Sequence, residues 1–171
     1  MPYRMNFSVD GACRHNGTTA AIASAACVYE QRQNQPNPAW TRILPDHPTP
    51  TNQRAELTAI IMAQEQALEI ARQRGYRSIY VKISSDSSYA VHCLTDWPNI
   101  WYDNGWRNAR GYRVANRDLI EQALNLDDRL MNWDNMGHSN VEYEHIPRNR
   151  NREADWHCGQ ALDELEDELY D

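Results

Sequence analysis

Four carboxylates carry the chemistry this sequence offers most plainly. Asp10 stands in Phe7-Ser8-Val9-Asp10-Gly11-Ala12-Cys13, an apolar run that ends on an acid and continues into small residues. Glu56 precedes an apolar helical stripe, Asp86 sits in Ser84-Ser85-Asp86-Ser87, and Asp155 follows Asn151-Arg152-Glu153-Ala154. Four acids held close together repel, so at least one should keep its proton to a higher pH than usual. A hard divalent cation relieves that repulsion, and ligation by oxygen alone suits Mg²⁺ or Mn²⁺. No Cys/His pair has zinc spacing. The acids lie far apart in the chain, so only a fold can assemble them.

Taken singly, each acid has a structural reading. Asp10-Gly11 is a turn dipeptide. Asp86, ahead of Ser87-Ser88-Tyr89-Ala90, suits an N-cap. Glu56 and Asp155 would complement helix dipoles in first turns. The set of four argues for chemistry, because each falls at the end of an expected element and those ends share one edge.

The elements follow from periodicity. Residues 5–12, 18–30 and 39–44 read as strands, with a polar, proline-bearing turn over 31–38, and together suggest an antiparallel meander. Pro45-Asp46-His47-Pro48-Thr49-Pro50 is a loop, since its prolines continue neither strand nor helix. A long helix is expected over 53–74, where Leu57, Ile60, Ile61, Ala67, Leu68 and Ala71 form a stripe and Gly75 a stop. Residues 78–84 alternate as a strand, and 87–95 read as a short helix. Residues 97–107 are aromatic and turn-rich, and 108–112 form a further turn. A helix over 115–131, a strand over 141–146 and a helix over 151–169 complete the chain. Helical crossovers should make the first, fourth and fifth strands parallel in a mixed α/β sheet. Their carboxyl ends then share the edge where ligands usually sit.

Length and composition fit one domain over residues 1–171 with a full core. No apolar run approaches membrane-spanning length, and the N-terminus shows no secretory pattern. The four cysteines are widely spaced and read as reduced thiols, so an intracellular protein is expected. The net charge of -7 is uneven: residues 1–152 hold 17 bases against 16 acids, and eight acids follow Arg152 with no base. The acidity thus belongs to the C-terminal helix and tail, and total charge neither supports nor excludes a nucleic-acid partner.

Over nearly its whole length the chain resembles type 1 ribonuclease H. Val9-Asp10-Gly11-Ala12-Cys13 with Asn16-Gly17, Thr51-Asn52-Gln53-Arg54-Ala55-Glu56-Leu57, Ser85-Asp86-Ser87-Ser88-Tyr89, Val114-Ala115-Asn116-Arg117-Asp118-Leu119 and Asn151-Arg152-Glu153-Ala154-Asp155 match the family's motifs in order. Trp97, Trp101 and Gly105-Trp106 match its aromatic segment. The resemblance implies a ribonuclease H-like fold: a five-stranded mixed sheet, three strands in an antiparallel meander and two in parallel crossovers, flanked by helices. It implies an endonuclease that cuts the RNA strand of an RNA–DNA hybrid with two Mg²⁺ ions, leaving 5′-phosphate and 3′-hydroxyl ends. Asp10 would bridge the ions, Asp155 would complete the site that activates water, and Glu56 and Asp86 would hold the ion near the leaving oxygen.

The same resemblance implies minor-groove contacts for Asn16, Asn52 and Gln53, whose amides can address a 2′-hydroxyl. Trp97, Trp101 and Trp106 read mainly as packing, with Trp106 the candidate among them for the DNA strand. Asn116 matches a position near that strand, and Arg107, Arg110 and Arg113 could meet phosphates. Two departures stand out. The loop Ile146-Pro147-Arg148-Asn149-Arg150-Asn151-Arg152 lacks the histidine of bacterial relatives, as in some archaeal and eukaryotic-type members. Arg148 or Arg150 would then serve product release, His145 reads as structural and His138 as loop surface. Ser88 replaces a longer amide common in the family. Two other readings share the fold: a catalytically weak binding module, such as a partner of a reverse transcriptase, and a DNA-directed nuclease. All four acids argue against the first, and Asn16 with Asn52 favours RNA over the second.

Overall fold

Met5, Phe7 and Val9 alternate along β1 (Tyr3–Arg14) and are fully buried, which makes this strand the middle of the molecule. In the computed structural model, which describes residues 1–31 and 34–171, β1 is flanked by β2 (Ile22–Glu30) and β4 (Ile79–Ser85). β3 (Ala39–Ile43) lies outside β2, and β5 (Asn140–His145) lies outside β4. The pairs β1–β2 and β2–β3 are antiparallel, while β1–β4 and β4–β5 are parallel. The expected five-stranded mixed sheet is therefore present. The turn anticipated over 31–38 lies partly outside the described residues, at Arg32 and Gln33.

Both faces of the sheet are covered. On one face sits α1 (Asn52–Arg74), whose expected stripe of Leu57, Ile60, Ile61, Ala67, Leu68 and Ala71 is buried throughout. Thr51 caps its start by accepting from the Arg54 amide at 3.1 Å, and Gly75 ends it in the left-handed region at φ 66°. α4 (Arg117–Met131) packs beside α1 through Ile120, Ala123, Leu126 and Leu130. On the opposite face α5 (Arg152–Tyr170) buries Ala154, Cys158 and Leu162 against β1, β2 and β3. Arg14 reaches from the end of β1 to Asp163 at 2.8 Å and Glu166 at 3.1 Å, so part of the acidic tail is engaged in holding α5 down.

Two expectations are corrected. β1 does not stop at Asp10. Its parallel pairing with β4 ends at Val9–Ser85, but its antiparallel pairing with β2 runs on to Arg14. Asp10-Gly11 is thus extended strand and not a turn, and Asp10, though buried, stands where its neighbour on one side has ended. The aromatic segment is also more regular than expected. After α2 (Ser88–Leu94), residues Trp97–Asn104 form α3, with Pro98 at its start and Gly105 closing it at φ 72°. Proline in a first turn and glycine just past the last are ordinary helix punctuation.

Candidate active site

The site begins where β1 and β4 part. Asp10 and Asp86 are each one residue beyond the last parallel pair, Val9–Ser85. Asp10 is buried, whereas Asp86 is half-buried in the bend between β4 and α2. Glu56 comes from the first turns of α1. Its Oε2 accepts the Gly11 amide at 3.1 Å, which ties the helix to the strand beside Asp10. Carboxylate oxygens of Asp10, Glu56 and Asp86 lie within 4.8 Å of one another. Asp155, exposed in the first turn of α5, is within hydrogen-bonding reach of Asp10 but stands outside that group.

Gly11 explains why α1 can come so close. A Cβ built there would lie 2.4 Å from the Ala55 carbonyl carbon and 2.4 Å from the Glu56 nitrogen. The space beside Gly11 is therefore filled by the helix backbone.

Electrostatics follow from this crowding. Burial, then the charge of Asp86 and the nearness of Asp155, push the Asp10 carboxyl well above the usual carboxylate range. Burial, then Asp10 and Asp86, do the same to Glu56. The Gly11 amide lowers both, but by less. Desolvated acids that repel one another form a site short of positive charge, and a hard cation supplies it. The all-oxygen donor set fits Mg²⁺ or Mn²⁺.

Glu56 and Asp86 open onto a cleft of about 440 Å³ that Gly11, Asn52, Gln53, Ser87, His145, Ile146, Pro147 and Arg148 also line. Asn16 accepts the Asn52 amide at 3.3 Å, so two of the three residues anticipated at the minor groove adjoin each other. Gln53 lines this cleft and also a second cavity of about 410 Å³ beside α3. There Asn116, at φ 63°, donates to Tyr89 Oη at 2.9 Å and accepts from Arg54 at 3.4 Å. Arg107 lines that cavity, and its bridge to Arg113 closes the loop carrying Arg110. Trp106 is only 8% exposed, stacked on Trp101 with the Arg117 guanidinium 4.6 Å above its ring. Tyr102, edge-on to Trp106, and Tyr112 in the neighbouring loop are exposed. Arg148 and Arg150 form a single exposed 3-10 turn ahead of α5.

Sequence reasoning assigned no role to Asn151 and read His145 only as structural. Asn151 is buried and donates to the Val9 carbonyl at 2.8 Å, tying the start of α5 to the strand one residue before Asp10. His145 ends β5 with its Nε2 3.2 Å from the Asp86 carbonyl. The one available signal was register: parallel pairing in which Ser85 faces His145 brings that ring to Asp86.

Comparison with known proteins agrees with this geometry. The family model described as RNase H matches residues 2–162. Ribonuclease H of Treponema pallidum is 34% identical over 127 residues, spanning 71% of each chain. Ribonuclease H of Acidithiobacillus ferrooxidans is 33% identical over 157 residues, spanning 89% of each. Shorter matches, such as that to ribonuclease H of Thermosynechococcus vestitus, span about half of each protein. Among solved structures, LC9-RNase H1, a type 1 RNase H with the type 2 active-site motif, superposes with a TM-score of 0.67 at 20% identity. That superposition covers 94% of this chain and 72% of the other.

Proposed function

Because the chain belongs to the RNase H family, whose members are endoribonucleases, we propose that it hydrolyses the RNA strand of RNA–DNA hybrids with two Mg²⁺ ions. The products would be 5′-phosphate and 3′-hydroxyl ends. The observation that carries this reading is the crowding of Asp10, Glu56 and Asp86 within 4.8 Å, two of them pushed upward by burial and mutual charge. Such a cluster is costly unless a cation completes it.

Asp10 would serve both ions, with Asp155 on the side of the attacking water and Glu56 with Asp86 on the side of the leaving 3′-oxygen. When bound, the ions would make water nucleophilic near neutral pH and stabilise charge on the phosphoryl oxygens. The protein's own work is orientation: Gly11 holds Glu56, and Asn151 fastens α5 to β1, while the cleft would receive one edge of the duplex. Asn16, Asn52 and Gln53 would address 2′-hydroxyls, which distinguish RNA from DNA. Asn116 and Arg107, with Trp106 and its neighbours behind them, would face the DNA strand, and Arg148 or Arg150 would aid product release.

The test is a labelled-substrate assay on hybrid, duplex RNA and duplex DNA with Mg²⁺, Mn²⁺ or chelator. Cleavage of hybrid alone, in either metal and not in chelator, is the expected result. Hybrid cleavage that survives in chelator would sink the two-metal reading, and hybrid that is bound but never cut would favour a binding module.

A further inference from the structure

We propose that His145 is a positioning residue for Asp86, aiming its carboxylate into the metal site by clamping the Asp86–Ser87 peptide together with Ser85. The Asp86 carbonyl and the Ser87 amide belong to one planar peptide group. That group is held from both sides by side chains. Its N–H donates to Ser85 Oγ at 3.0 Å, and its carbonyl lies 3.2 Å from His145 Nε2. A carbonyl only accepts, so the imidazole donates here through Nε2. Ser85 is fully buried, and the Ile146 amide donates to its carbonyl at 2.9 Å, so both ends of the clamp rest on the β4–β5 pair.

The clamp matters because Asp86 sits in a bend. Beyond Val9–Ser85 the sheet no longer fixes its backbone. Released from the clamp, the bend is free to change φ at Asp86 as well as ψ, and a change in φ would swing the Asp86 Cα–Cβ bond, and with it an oxygen that lies within 4.8 Å of Asp10 and Glu56. Side chains that orient metal-binding carboxylates affect metal affinity by about tenfold or more. His145 is exposed, so removing it should cost the fold little. The inference rests on the metal-dependent reading of the acids given above.

The test measures Mn²⁺ affinity by paramagnetic resonance and Ser87 amide exchange by NMR in metal-free protein, with thermal unfolding as the control. His145→Ala and His145→Phe should weaken Mn²⁺ binding by about tenfold and speed Ser87 exchange at an unchanged Tm. His145→Gln, whose amide can donate from a similar reach, should recover most of both. Wild-type affinity and exchange in His145→Ala would overturn the positioning role, and so would equal loss in His145→Gln. Asp10→Asn separates the two readings. If it abolishes Mn²⁺ binding while His145→Ala does not weaken it, the metal reading stands and the clamp falls. Wild-type protein that takes up no Mn²⁺ would overturn both.

Discussion

Asp10 is a buried carboxylate with two others inside 4.8 Å, and burial is the largest cause of its raised pKa. Without metal that charge works against the fold. Asp10→Asn should therefore leave metal-free stability unchanged or raise it by up to about 2 kcal/mol while abolishing cleavage. Thermal unfolding in chelator beside the hybrid assay checks this, and a large loss of metal-free stability would mean that Asp10 serves the fold first. Asp127 poses the same question away from the site. It is buried between α4, α1 and β5, accepting from Tyr143 Oη at 2.6 Å and Gln64 Nε2 at 2.8 Å. Burial raises it from 3.8 to about 6, against the lowering effect of those donors. The folded state thus binds this proton more tightly than the unfolded one. Its contribution is fully present below pH 3.8 and is lost as pH rises through about 6. The loss amounts to about 3 kcal/mol. Asp127→Asn keeps an accepting oxygen for both donors, so its stability advantage over wild type should grow between pH 4 and pH 7, as read from urea midpoints. A difference that stays flat across that range would contradict the assignment.

The element that brings the acids together is α1, and what seats it is the absence of a side chain at Gly11. Gly11→Ala would set a methyl 2.4 Å from the backbone at Ala55 and Glu56, atoms that cannot rotate away. Helix and strand must separate, costing about 1–3 kcal/mol and displacing Glu56. Metal affinity and cleavage should fall further than the shift in denaturant midpoint accounts for; a variant that loses stability but keeps full metal affinity would show Glu56 to be seated by other contacts. Most elements were legible from the chain because period-2 and period-3.6 stripes reflect burial, as the complete burial of the α1 stripe illustrates. The run to Asp10 hid the real end of pairing, because a strand with one parallel and one antiparallel neighbour need not end at the same residue on both sides. α3 was hidden by residue types usual in turns, although Trp97 and Trp101 have helical spacing and their rings lie 5.8 Å apart. Asn151 reaching Val9 across 142 positions, or His145 reaching Asp86, depends on register, which a one-dimensional pattern does not contain. The grouping of Asp10, Glu56 and Asp86 was legible because motif order constrained them together, while Asp155 stands outside that group.

At the scale of the molecule, the charge of -7 is divided by the sheet. The eight acids beyond Arg152 belong to α5 and its end, on the face opposite α1 and α4, and Arg14 already pairs with two of them. The exposed loop between α3 and α4 carries Arg107, Arg110 and Arg113, beside the cavity that Gln53 shares with the acidic cleft. An acidic protein can therefore present a locally basic track next to its acidic cleft, and duplex phosphates respond to that local field more than to net charge. Hybrid affinity, measured in Ca²⁺ to prevent turnover, should fall log-linearly with salt. Replacing any one of the three arginines that meets a phosphate should reduce the slope by about one. Such a loss should be equal for hybrids of any sequence, because phosphate contacts carry no base information. Asp167→Asn on α5 should leave the slope unchanged, since its charge lies across the sheet and is screened beyond about 10 Å at 0.1 M salt. An unaltered slope in the triple arginine variant would place the duplex elsewhere on the protein, and a slope sensitive to Asp167 would bring the C-terminal helix to the substrate.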